Sequence, residues 1–187
     1  MRKLLLLYLT IIISGSLHAQ LIAVKNNLLY DFTATPNLGV EVGISKHLTF
    51  DLTGRFHPWS LQDRKTLKHW QIQPELRYWF SERFDEYFIG LHAQYMDYNF
   101  YGFKLPWGME KRFGYDGTSY SAGLSYGYQL YISPRWNIEF TIGVGYSRFD
   151  YTKYEYDAIF DKYDIGLFNR DYYGLTKLGI SFVYLIK

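Results

Sequence analysis

The chain has 187 residues, a formal net charge of +2 and no cysteine. That length is one domain's worth. Dispersed charge gives no basic stripe for nucleic acid, and the lack of thiols excludes a disulfide framework, thiolate chemistry and a lipidated cysteine behind an export signal. Twenty Tyr, 14 Phe and 5 Trp make 21% of the residues, and tyrosine in that quantity suits membrane interfaces, where one end of the ring is apolar and the other wet.

Residues 1–19 read as a secretory signal, with residues 20–187 as the exported domain. Arg2 and Lys3 form the basic start and 4–13 the apolar core. That core is too short for a spanning helix, which needs about 20 residues. Cleavage is expected after Ala19, with Ser16 as the alternative.

Beyond residue 20 apolar side chains recur on every second position. Leu38, Val40, Val42 and Ile44 alternate with Gly39, Glu41, Gly43 and Ser45; Ile138, Phe140, Ile142 and Val144 alternate with Glu139, Thr141, Gly143 and Gly145. A period of two is the mark of a strand with unlike faces. Eight strands are predicted, over 21–31, 37–45, 47–56, 70–80, 87–99, 118–130, 136–151 and 172–186. Short turns join strands 2–3, 4–5 and 6–7, and long loops over 57–69, 97–117 and 152–171 join the others, apart from the short 32–36 link. This alternation predicts an all-β, eight-stranded antiparallel up-and-down transmembrane β-barrel, short turns and both termini periplasmic. Pro74 falls inside strand 4 and predicts a bulge. Pairing Ser81 with Glu86 sets Trp79 opposite Phe88, Arg77 opposite Gly90 and Glu75 opposite His92.

A soluble barrel also alternates, with its apolar face inward. Two features favour the opposite orientation. The polar parity is rich in Gly and Ser, which a narrow lumen needs. Aromatics on the apolar parity gather at strand ends: Tyr87, Trp136 and Tyr184 at one, Phe56, Trp70, Tyr95, Tyr120 and Tyr146 at the other. The charged parity then faces inward, and Glu41, Asp51, Arg55, Glu75, Arg77, His92, Glu139 and Lys177 are expected to form one lumen network.

The catalytic inventory is thin, and no enzyme, cofactor or metal site is expected. His57 and His69 flank a loop holding Ser60 and Asp63, the one set from which an outer-leaflet lipid hydrolase could be assembled. A gated ion path through the lumen is the other alternative. Partner recognition is expected in the long loops, with Tyr101, Phe103, Trp107, Arg112, Phe113, Tyr115, Tyr156, Phe160 and Phe168 as candidate contacts. Outer-membrane lipid and a surface protein are the expected partners of a monomer. The loop aromatics suit equally a hairpin continuing above the membrane.

Several stretches are similar to one family. Asn26-Asn27-Leu28-Leu29-Tyr30-Asp31, Thr35-Pro36-Asn37-Leu38-Gly39, His57-Pro58-Trp59, Gln73-Pro74-Glu75-Leu76-Arg77-Tyr78-Trp79 and Arg135-Trp136-Asn137-Ile138-Glu139 resemble a domain of unknown function found in small bacterial outer-membrane barrels. The resemblance implies a Gram-negative outer-membrane location and, since such genes often neighbour fimbria genes, a fimbrial component as partner. It supplies no catalytic residues.

Overall fold

The computed structural model describes residues 21–60, 65–104, 108–156 and 162–186. The elements are β1 (Ile22–Asn27), α1 (Leu28–Asp31), β2 (Asn37–Gly43), β3 (Leu48–His57), β4 (Thr66–Trp79), β5 (Glu86–Tyr101), β6 (Gly114–Ser133), β7 (Trp136–Tyr156) and β8 (Lys162–Ile186). Each strand pairs antiparallel with the next, and β8 closes the barrel on β1. Residues 1–19, expected as a secretory signal, lie outside the described residues.

Alternation decides the faces. Leu91 and Leu124 are 61% and 65% exposed on the outer wall, while Glu41 and Arg77, on the other parity, are 0% and 1% exposed. The barrel is therefore inverted relative to a water-soluble one, with charges inside and leucines outside. Glycines make the narrow interior possible: a Cβ at Gly90 would strike the Glu75 carboxylate and Ser125 Oγ, and one at Gly127 would strike the Phe88 ring.

The β4–β5 register is the one the turn predicts. Trp79 pairs with Phe88, Arg77 with Gly90 and Glu75 with His92, and Ser81 Oγ donates to Glu86 Oε2 at 3.1 Å. A slip of one residue would put these charges in the outer wall. Within the turn Phe84 takes a left-handed φ of 65°, and its buried ring lies 5.8 Å from that of Trp79. Packing holds a backbone conformation that a bulky residue otherwise avoids.

Three expectations need correction. Strand 1 does not reach residue 31: it ends at Asn27, whose side chain accepts a hydrogen bond from the Leu29 amide and caps α1. Pro74 causes no bulge. Pairing with β5 lapses at Gln73 and Pro74, but the register before and after is the same, because a missing donor need not displace the chain. The bulges lie elsewhere, and one places Thr176 as an extra residue between Lys177, opposite Gly143, and Leu175, opposite Val144. Third, the late strands outrun their predicted ends. β6, β7 and β8 have 20, 21 and 25 residues against 6 and 7 for β1 and β2. At ~3.3 Å per residue, β8 is roughly 80 Å long. The barrel has one tall side and one low side.

Candidate functional site in the barrel interior

The interior is layered from the short-turn end upward. Its floor is an apolar cluster of Ala23, Trp79, Phe84, Phe88, Val183 and Leu185. The Trp79 indole donates to Thr49 Oγ1 at 2.9 Å, and Thr49 in turn donates to Glu41. Floor and ion network are thus joined by one hydroxyl.

Arg77 is the hub of the next layer. Its Nη1 lies 2.8 Å from both Glu41 Oε2 and Glu139 Oε2, and Nη2 lies 2.9 Å from Glu75 and 3.5 Å from Asp51. Its guanidinium carbon stands 4.4 Å from the Phe88 ring centre. Lys25 Nζ reaches Glu41 at 2.6 Å, Asp51 at 3.0 Å and Glu139 at 3.3 Å. Lys177 pairs with Glu75, which also accepts from Ser125. Every side chain of the cluster is buried. Charges so deep are tolerable only when mutually paired, and these are.

Six of the eight residues expected in the network are there. Arg55 and His92 are not. Arg55 Nη2 donates to Gln73 at 2.9 Å and its guanidinium lies 4.0 Å over the Tyr30 ring; it has no ion pair among the described residues. His92, although opposite Glu75 on the ladder, bonds through Nε2 to Thr176 Oγ1 at 2.9 Å. The β8 bulge turns Thr176 inward to meet it. Lys25 was missed, although it is the one charged residue of β1 and lies on the inward parity with Ala23 and Asn27.

Above the ions lies a cavity of about 300 Å³, bounded by Arg55, Gln71, Gln94 and Lys177 among polar residues and by Met96 and Phe149 among apolar ones. Its roof is a second apolar cluster containing Met96, Tyr98, Phe100, Met109, Tyr115 and Phe149. At this end His57 and His69 pair across the β3–β4 ladder, their rings stacked at 5.5 Å. Neither ring nitrogen of His57 has a hydrogen-bond partner among the described residues, so none reaches Ser60, which is exposed. Asp63 lies outside the described residues.

The candidate loop contacts divide. Tyr101 stacks on Tyr154 at 6.0 Å and meets Tyr156 edge-on at 4.9 Å. Lys153 Nζ stands 3.5 Å over the Phe113 ring, while Arg112 pairs with Glu155 at 2.8 Å. Phe168 is exposed and stacks on Tyr151 at 6.2 Å; Phe103 is half-buried. Tyr115 is no outer contact: it is buried in the roof, its hydroxyl accepting from the Glu110 amide at 2.8 Å. Trp107 and Phe160 lie outside the described residues. The aromatics otherwise mark two paired hairpins rather than open loops, since β5–β6 pairing runs to Tyr101 with Gly114 and β7–β8 pairing to Tyr156 with Lys162.

The family described as "Protein of unknown function (DUF3575)" matches residues 5–186, and the chain belongs to it. No curated protein and no solved structure matches.

Proposed function

Given that membership, we propose that the protein is an outer-membrane barrel that presents its two long hairpins to a surface partner. The location is supported by the wall itself. Leu76, Ile89, Leu91, Leu124, Ile142 and Val144 form an exposed aliphatic belt. Aromatic rings fringe it on both sides, with Tyr87–Tyr128 at 4.6 Å and Trp136–Tyr184 at 4.9 Å toward the short turns, and Trp70–Tyr95 at 5.2 Å and Tyr146–Tyr173 at 5.1 Å toward the hairpins. An apolar belt of that extent in water would aggregate; in a bilayer it is solvated.

One observation carries the functional reading: β5–β6 and β7–β8 stay paired far beyond the upper ring of aromatics. There Tyr101 and Tyr156 pack against the buried Tyr154, with Asp116, Lys162 and Glu155 around them. Rigid aromatics among charges are the composition of recognition surfaces, and hairpins on a stable barrel are where such a surface costs the fold least. A conduction role is less well supported. The space left among Lys25, Asp51, Arg77 and Glu139 is about 20 Å³, little more than one water.

The partner proposed is a surface-exposed protein, with a fimbrial component as the first to test. Each hairpin is cut back to a Gly-Ser turn at the level of Met96 and Ser147, and heat-modifiable migration of the membrane fraction confirms folding. Loss of fimbrial assembly, surface attachment or partner capture in either variant supports the reading. Survival of all three in both variants overturns it, and recovery of the full chain from the soluble periplasm overturns the location.

A further inference from the structure

Arg55 and Gln71 are direct cross-strand partners on β3 and β4. Both line the cavity above the ion network, and they are 5% and 6% exposed. Each has a hydrogen-bond donor with no partner among the described residues: Arg55 Nε and Gln71 Nε2. Buried donors are seldom left unmatched. Two of them side by side, one on a full positive charge, describe a receptor for an acceptor group, and an anion matches best. Tyr30 from above and Gln73 from beside hold the guanidinium in place, so the donor is aimed before any ligand arrives.

The cavity surface is otherwise mainly apolar, although Gln94, Ser121, Ser147 and Lys177 also border it. Leu67, Met96, Phe100 and Phe149 line it together with Leu175 and Leu178 of β8, and those last two also face the outer belt, 46% and 45% exposed. Those two leucines carry the cavity lining to the outer wall. Pairing of β8 with β1 stops at Ser181 and Asn27; above it the chain leaves as α1 and the turn to Thr35, and Tyr30, Thr33 and Thr35 form the facing rim of the cavity. The result is a seam without strand pairing, a notch, between β8 and that turn.

We propose that this cavity binds an anionic amphiphile, its carboxylate or phosphate on Arg55 and Gln71 and its alkyl chain leaving through the notch between β8 and the Tyr30–Thr35 turn. Charge balance shows why a chain is needed. The network below holds four carboxylates, Glu41, Asp51, Glu75 and Glu139, against three cations, Lys25, Arg77 and Lys177. Its excess negative charge already attracts Arg55 through space, so a bare anion gains little. Each methylene buried in the apolar part adds roughly fourfold in affinity. This site is separate from the hairpin surface. Only the route of entry depends on the membrane location.

The test uses the full exported chain in nonionic dodecyl maltoside micelles, with native mass spectrometry counting bound probe. Dodecanoate, dodecyl phosphate, dodecanol and inorganic phosphate are titrated separately. One dodecanoate or dodecyl phosphate per chain is expected, bound at least tenfold more tightly than dodecanol or inorganic phosphate, and the stronger of the two says whether the head is an acyl carboxylate or a lipid phosphate. Arg55→Gln should weaken it tenfold or more and Arg55→Lys less. Thr33→Trp, on the exposed rim, should weaken it without touching the interior. Wild-type protein that binds dodecanol as tightly as both anions overturns the anion site, a comparison that needs no variant to fold. Inorganic phosphate binding as tightly as dodecyl phosphate overturns the amphiphile, and unchanged binding by a folded Arg55→Gln variant overturns the assignment.

Discussion

Lys25 on β1 and Glu139 on β7 meet at 3.3 Å across the barrel, although their strands are not neighbours. Backbone pairing fixes each strand to the next; a contact of this kind fixes the cross-section of the closed ring. Arg77 does the same from β4, touching carboxylates on β2, β3 and β7 as well as its own strand. The ion cluster holds the place that an apolar core holds in a soluble barrel.

Removal of one cation should therefore be costly. Lys25→Met or Arg77→Ala leaves buried carboxylates without their partner, a change worth about 3–5 kcal/mol. Arg112→Ala breaks a pair at the surface, where its side chain is 72% exposed, and should leave the unfolding midpoint unchanged. Guanidinium titrations of the three variants in detergent decide it. Equal midpoints would mean that the ions are not the core.

Two glycines offer a matched pair. A Cβ at Gly90 meets the Glu75 carboxylate and Ser125, whereas one at Gly54 meets nothing within 4 Å. Gly90→Ala should destabilise by about 1–3 kcal/mol through displacement of Glu75 from Arg77 and Lys177, while Gly54→Ala should be neutral or slightly stabilising. The same denaturation assay compares them, and a harmless Gly90→Ala would show that the network shifts freely.

The outer hairpins should loosen in alkali. Tyr154 lies well above the belt, and its phenol is held above the usual tyrosine value by burial first, then by Tyr156, Asp116 and Tyr101. Its hydroxyl donates to Asn99 Oδ1 at 2.7 Å. Because the folded value exceeds the unfolded one, about 10, the protonated phenol's contribution is complete below that pH. It fades as pH rises through the folded value. A tyrosinate titration followed at 295 nm should show a late phase that Tyr154→Phe removes, and proteolysis of the hairpins should rise with that phase. A hairpin cut equally at pH 8 and in strong alkali contradicts the packing.

Most of the barrel was legible because a period of two leaves little freedom once one face is charged. The β4–β5 register could be read from a single turn, since both faces had to agree. What escaped has physical reasons as well. Arg55 shares the inward parity with Glu75 and Glu139, but parity fixes only the face and not the height; it sits above the ions against Tyr30, on an element the alternation did not announce. Thr176 escaped because a bulge leaves no trace in side-chain chemistry. The hairpins above the belt could be read equally as loops because nothing apolar selects their outer face.

Asn27 shows how one side chain can end a strand that hydrophobicity would continue. Its Oδ1 accepts from the Leu29 amide at 3.1 Å and from the Ile180 amide at 3.3 Å, and its Nδ2 donates to the Leu178 carbonyl at 3.2 Å. One residue thus starts α1 and seals the last pairing of β1 with β8. Asn37 locks it further, accepting from the Asn27 amide at 2.7 Å and donating to its carbonyl at 3.0 Å. Asn27→Ala removes the helix cap and leaves two β8 backbone groups without their side-chain partner, which should cost about 1–3 kcal/mol. The loss should be local. Hydrogen exchange at Leu178–Ser181 should rise by an order of magnitude or more, while amides of β4 and β5 keep their protection. Asn27→Asp retains both acceptor contacts and should restore part of the cap, but it cannot donate to Leu178 and so should protect Ile180 better than the wall beside it. If exchange in Asn27→Ala rises equally around the whole barrel, the seam is no weaker than any other strand pair and the notch beside it is not a separate element of the fold.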